Sequence, residues 1–179
     1  MVTANRFFLS HVKDFSDYRV VNFWKDMKTS GLLRSRMIEV AEPSLRDVEE
    51  MLADKTNACF VMWDAEKGKI AAETMLNNFR GLAAQVHFSI HPIYHGPIAV
   101  QIAREGAEQH FNLKSEQTGD CLTTLIGLTP ADNRLAIKFI KRVGFKVLDK
   151  VDKMFYNAKS KKYVDGYLSK LTSESMYGR

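Results

Sequence analysis

Three histidines stand four residues apart, at 87, 91 and 95, in the stretch HFSIHPIYHG. Imidazole titrates near neutrality, so His87 and His91 are candidate general bases for a proton leaving a reacting group. Glu73 is a weaker candidate, and Tyr94 and Tyr156 each bring a hydroxyl. On a helix, intervals of four would gather the imidazoles on one face, as a metal site requires. Pro92 and the alternation around it imply a strand and a turn instead, where four residues span about 13 Å, too far for one ion. No metal site is expected. Cys59 and Cys121 lie in apolar runs without the His and Asn context of a nucleophile, and are expected as core thiols of a reducing compartment.

These residues need elements to hold them. QVHFSIH alternates strictly, with Val86, Phe88 and Ile90 on one face and Gln85, His87, Ser89 and His91 on the other, as in a half-buried strand. Pro97 suits the first turn of the helix that follows, because its missing N–H is no loss there, and that helix is expected to reach about Phe111. Upstream, RFFLSHV reads as a short strand. A helix capped by Ser16 or Asp17 then carries Val20, Val21, Phe23, Trp24 and Met27 and ends at Gly31. Met37, Ile38 and Val40 suggest a strand. Ser44 with Asp47 approximates a capping box ahead of Leu45, Val48, Met51 and Leu52. ACFVMWDAEKGKIAAETMLNNF reads as two strands around a turn at 66–69, with Gly68 supplying the positive φ. CLTTLIGL is a further strand. ADNRLAIKFIKRVGF reads as a helix. Ala136, Ile137, Ile140 and Val143 form its apolar stripe, Lys141 and Arg142 sit at the negative end of the dipole, and Gly144 stops it. Strands follow in FKVLDKVDKMFYN. In the basic tail, Tyr163, Tyr167, Leu168 and Leu171 fall at near-helical spacing.

The 179 residues contain no repeat, low-complexity tract or linker, so one domain is expected: a strand and helix extension over 1–36, a core over 37–157 and a basic tail over 158–179. The order of elements implies an α/β (α+β) architecture, a mixed, mostly antiparallel sheet flanked by helices. No apolar stretch approaches the roughly 20 residues of a membrane span, and the early charges of MVTANRFFLSHVKDF do not fit a signal peptide. Cytoplasmic synthesis is expected. The net charge of +5 permits an acidic partner, but the lysines of KVLDKVDK and KSKK read as solvated surface, and no nucleic-acid-binding signature accompanies them.

The element order and two local motifs resemble the GCN5-related N-acetyltransferase (GNAT) superfamily. Asn133, Ala136, Phe139, Gly144 and Phe145 follow the strand TTLIGL in the register of that family's last motif. In SIHPIYHGPIAVQI, Pro92, Tyr94, Gly96 and Ala99 look like its coenzyme A turn, with His95 where a basic residue is usual. The resemblance implies an acetyl-CoA-dependent N-acetyltransferase acting on a primary amine. It implies cofactor contacts at Ser89, Ile90, His91, His95, Gly96, Ile98, Ala99, Asn133 and Ala136, with a splayed pair of central strands and a helix N-terminus holding the pyrophosphate. His87 or His91 would serve as base.

Two departures stand out. The turn is about one residue short and lacks its second glycine, while Pro97 removes an amide. Ile140 takes the place of a tyrosine that protonates the departing thiolate, and isoleucine has no proton to give. Together with the aromatic-rich front half and its Arg34/Arg36 pair, these departures make the chain resemble, more narrowly, GNAT-like head-assembly proteins of short-tailed bacteriophages. That likeness implies virion morphogenesis, contact with phage structural proteins in the host cytoplasm or virion, and weak or absent acetyl transfer. A water or Tyr94 would replace the missing acid in an active enzyme.

Overall fold

The computed structural model describes residues 6–114 and 118–178. The first five residues of the amino-terminal extension and the last residue of the tail lie outside the described residues. The chain runs β1 (Phe7–Val12), α1 (Tyr18–Thr29), α2 (Leu32–Arg36), α3 (Leu45–Ala53), β2 (Ala58–Asp64), β3 (Lys69–Arg80), β4 (Ala83–Ile90), α4 (Pro97–Phe111), β5 (Thr124–Pro130), α5 (Arg134–Val143), β6 (Lys146–Asn157), β7 (Lys162–Thr172) and α6 (Ser173–Tyr177). Seven strands form one sheet in the order β1-β2-β3-β4-β5-β7-β6. Every pairing is antiparallel except β4 with β5.

Local chemistry sets the helix ends. The Asp17 carboxylate accepts the Arg19 N–H at 2.8 Å and caps α1. Ser44 and Asp47 make the reciprocal capping box of α3, the Ser44 N–H donating to Asp47 at 2.7 Å and the Asp47 N–H to the Ser44 hydroxyl at 3.3 Å. Gly31, at φ 77°, does more than stop α1, because α2 starts directly after it. Positive φ suits glycine, which has no Cβ to clash.

Helices cover both faces. Val20, Phe23, Trp24 and Met27 of α1, Leu33 of α2 and Val48 and Leu52 of α3 pack on Cys59, Val61 and Met75. On the opposite face, Ala103, Ala107 and Phe111 of α4 and Val143 of α5 meet Phe60, Leu76, Val86, Leu125 and Leu171. Beside them Ile102, Tyr94, Phe7 and Met62 make a third cluster. Central strand β3 is buried from Ile70 to Leu76 without a break, which explains its apolar run.

Two expectations are corrected. Residues 37–41 form a turn and a bend, not a strand. The sheet is bounded by β1 and β6, so this segment has no ladder beside it, and the Ile38 carbonyl instead accepts the N–H of Ala158 at 3.2 Å. The near-helical spacing of Tyr163, Tyr167, Leu168 and Leu171 in the basic tail does not produce a helix. Residues 162–172 of the tail form β7, inserted between β5 and β6. It pairs with β5 from Thr124↔Thr172 to Pro130↔Gly166 and buries Leu171 in the core. Without β7, the edge of β5 that faces away from β4 would lack hydrogen-bond partners. Among the described residues, no helix is long and apolar enough to cross a membrane.

Candidate functional site

The β4–β5 ladder is short. It holds Ala83↔Thr124, Ala84↔Leu125 and Gln85↔Ile126, and then ends. From Val86 onward β4 pairs only with β3, and from Gly127 onward β5 pairs only with β7, so the two central strands open into a wedge. The His91 N–H donates to the Ala71 carbonyl at 2.9 Å, which fixes the alternation along β4. Ser89 and His91 turn their backbone groups toward β3, and Phe88 and Ile90 turn theirs into the wedge. Of Ser89, Ile90 and His91, therefore, only Ile90 offers edge groups there. Its carbonyl already lies 3.3 Å from Nε2 of His95.

The turn at the mouth of the wedge is shaped by His91. Its Nδ1 accepts the Ile93 N–H at 3.3 Å, which leaves the ring proton on Nε2 to donate to Asp26 of α1 at 3.0 Å. The imidazole also packs near Phe23 and Tyr94. Pro92–Tyr94 make a single 3-10 turn, and Gly96 follows at φ 101° and ψ −151°, a conformation that suits glycine, with open space where a Cβ would stand. Pro97 opens α4 without an N–H, and Ala99 donates its own to the Gly96 carbonyl at 3.2 Å. Fewer first-turn amides near Gly96, Ile98 and Ala99 are left for a phosphate than a helix start ordinarily offers.

The other wall is α5. The Asn133 side chain accepts the Ala136 N–H at 3.1 Å and caps the helix, and Gly144 ends it at φ 120°. Ile140 is half-buried and packs with Phe139 against the core beneath α4 and α5.

On the α1–α3 face, Glu73 is 1% exposed and pairs with Arg36, with Nε to Oε2 at 3.4 Å and Nη2 to Oε1 at 3.5 Å. His87 lies two strand positions away. Burial, with a smaller contribution from the Arg36 charge, pushes its pKa down to about 3, so it stays neutral. Its Nε2 meets the Gln85 amide at 3.0 Å and the Asn77 carbonyl oxygen at 3.3 Å, accepting from the first or donating to the second according to tautomer. A neutral imidazole with so low a pKa is a weak acceptor for a proton near neutrality. Ser89, directly across from Glu73, buries a hydroxyl that has no hydrogen-bond partner among the described residues.

Tyr94 does not supply an acid to the wedge. It is 1% exposed, and its hydroxyl donates to Asp64 at 3.0 Å on the other face of the sheet. Arg6 holds the same carboxylate through Nε at 3.1 Å and Nη2 at 2.8 Å, which lowers the Asp64 pKa to about 2. Tyr156 lies at the β6–β7 edge, its ring 5.3 Å from that of Tyr163. Two pairings escaped sequence reading, His91 with Asp26 and Glu73 with Arg36. Their partners stand 65 and 37 positions apart, so local spacing carries no signal of them. Cys59 is buried and its thiol pushed up to about 12, and Cys121 is half-buried; both are free.

No family model matches the chain, and no curated protein matches it in sequence. Solved structures do match in fold. A spermidine N-acetyltransferase from Vibrio cholerae, in complex with CoA and spermine, superposes with a TM-score of 0.71 at 16% identity, covering 96% of this chain and 98% of that one. An acetyltransferase (GNAT family) from Bacillus anthracis gives 0.71 at 12% identity, over 96% and 98%. A ribosomal-protein-S5-alanine acetyltransferase from Vibrio fischeri gives 0.65 at 16%, over 96% of both. At this identity the likeness bears on fold alone, and the fold is that of the GNAT acetyltransferases. These structures lend no support to the narrower resemblance to phage head-assembly proteins.

Proposed function

We propose that this chain is an acyl-CoA-dependent N-acyltransferase, with acetyl-CoA as donor and a primary amine as acceptor. One observation carries the reading: the β4–β5 ladder stops after three pairs, leaving the edge groups of Phe88 and Ile90 turned into an open wedge. An extended chain with amide groups, such as a pantetheine arm, fits such an edge as an added strand would. When bound, acetyl-CoA supplies an activated thioester. Phe88 and Ile90 would hold the arm, and His95, Gly96, Ile98 and Ala99 would lie by the pyrophosphate. Asn133 and Ala136 fix the opposite wall at the start of α5. The amide-poor turn argues for modest affinity.

In this reading His91 takes the amine's proton at Nδ1, whose present partner is a long 3.3 Å contact, while Asp26 steadies the imidazolium through Nε2–H. Replacing His91 with Ala should then lower kcat far more than it changes KM, and replacing His87 should change neither. Ile140 has no proton to offer, so turnover should be slow.

A second reading keeps the fold and drops the transfer, leaving a GNAT-fold assembly protein that contacts phage structural proteins. Ile140 and Pro97 favour it, because an assembly role tolerates the loss of a proton donor and of a phosphate-facing amide. Thermal unfolding with excess acetyl-CoA, followed by thiol release with a panel of primary amines, separates the two. Ligand at about 100 times its Kd adds about 2.7 kcal/mol to stability. A raised midpoint with amine-dependent thiol release supports the transferase. A raised midpoint without release favours the second reading, and no shift at millimolar cofactor overturns the first.

A further inference from the structure

At the far end of the sheet from the wedge, β3 overhangs its neighbour. Its pairing with β2 stops at Ala58↔Leu76, yet the strand continues to Arg80. Its register against β4 shifts between Asn77 and Arg80, and Asn78 sits at φ 49° in the left-handed region. A bulge of this kind re-aims side chains, and asparagine tolerates the left-handed region beside a turn. Phe79, within this stretch, is 46% exposed. Between the overhang and the α3–β2 loop lies an open surface hollow of about 350 Å3, lined by Lys55, Thr56, Asn57, Asn78, Phe79 and Arg80, together with Ala58. That size falls within the range of small-ligand sites.

The amides of this region are braced before any ligand arrives. Asn77 donates to the Asn57 carbonyl oxygen at 3.3 Å, Asn57 donates to the Met51 backbone carbonyl at 3.0 Å, and Asn78 donates to Gln85 at 2.9 Å. Lys55 and Arg80 have no ion-pair partner among the described residues, and no carboxylate lines the hollow. The nearest one in sequence, Asp54, accepts the N–H and hydroxyl of Thr56, both at 2.8 Å. Two unpaired cations and an exposed aromatic residue, lining one hollow with hydrogen-bonded amides, make a combination suited to a planar ring that carries a phosphate. Arg80 matches phosphate geometry, Lys55 adds a point charge, and Phe79 offers a stacking surface.

We infer that this hollow binds a nucleoside monophosphate, with its base against Phe79 and its phosphate between Lys55 and Arg80. The inference is independent of the proposed transfer. It is tested by calorimetric titration of the full chain with AMP, with adenosine and with inorganic phosphate, in wild type, Phe79→Ala and Arg80→Glu. Both side chains are exposed, so unfolding midpoints should stay put and serve as the folding control. AMP is expected to bind, with adenosine and phosphate at least tenfold weaker, and each substitution should weaken AMP by about tenfold or more. The acetyl-CoA-induced shift in midpoint should be the same in all three proteins. Absence of AMP binding at millimolar concentration would overturn the inference. So would equal binding in the variants, which would place AMP elsewhere, for instance in the wedge. Phosphate binding as tightly as AMP would reduce the site to surface charge and overturn it too.

Discussion

The ring nitrogen Nε2 of His95 stands 3.3 Å from the carbonyl oxygen of Ile90, joining the turn before α4 to the one β4 carbonyl that the wedge shares with it. If the proposed cofactor binds, the ring can leave Ile90 and face the pyrophosphate. His95→Ala should weaken acetyl-CoA binding by about fivefold, the scale of one hydrogen bond of about 1 kcal/mol. Titration calorimetry measures it, and unchanged affinity would remove His95 from the site.

Ile140 can be given the hydroxyl it lacks. Its side chain is half-buried beside Phe139, so Ile140→Tyr should overfill the core and lower stability by about 1–3 kcal/mol. On the transferase reading the same change should raise kcat by about tenfold or more, toward the roughly 100-fold that a positioned acid contributes. Thiol release under saturating acetyl-CoA tests this, and a rate that does not rise counts against a wedge arranged for transfer.

Tyr94 should behave in the opposite way. Its hydroxyl bonds the buried Asp64, which also pairs with the partly exposed Arg6. Tyr94→Phe should cost about 1–3 kcal/mol by leaving a buried carboxylate one donor short. Transfer rate should not change. A drop in kcat at constant stability would return Tyr94 to the chemistry.

Acid should weaken the fold earlier than carboxylates alone would. His110 is wholly buried, with Nε2 2.7 Å from the Thr74 hydroxyl and the Phe60 ring alongside, and burial holds its pKa at about 3. Unfolded, it titrates near 6.5. The stability tied to neutral His110 is therefore fully present above pH about 6.5, and it falls by about 1.4 kcal/mol per pH unit from there toward pH 3. His87 adds a second loss of the same sign. Urea unfolding at pH 7, 6 and 5 should show the slope, and His110→Gln should remove about one proton's share of it. An unchanged slope would mean His110 is protonated in the folded protein.

Gly166 tests the place of β7. A Cβ there would stand 2.5 Å from the Met154 sulfur and 2.6 Å from Phe155 Cε2 of β6. Gly166→Ala should lower stability by about 1–3 kcal/mol, with the side-chain ends of Met154 and Phe155 giving way in part. Unaltered stability would imply that β6 and β7 do not pack as described.

By itself the sequence determined what a few neighbouring residues can settle. Ser16 or Asp17, Ser44 with Asp47, Pro97 and Gly144 mark helix ends because a cap or a stop is made within three or four positions. The alternation of QVHFSIH placed β4, since side-chain direction in a strand has period two. Tertiary structure decided the rest. Tyr163, Tyr167, Leu168 and Leu171 suited a helix by spacing, but the open edge of β5 offered backbone partners, and the segment became a strand. Tyr94 went to Asp64, Glu73 to Arg36 and His91 to Asp26, across separations of 30, 37 and 65 residues. Whether His87 can hold a proton depends on what covers it. The wedge depends on where two strands far apart in sequence stop pairing, as Ala83↔Thr124 to Gln85↔Ile126 record. Spacing fixes how a segment can fold; which neighbour satisfies its polar groups is settled only when distant segments meet.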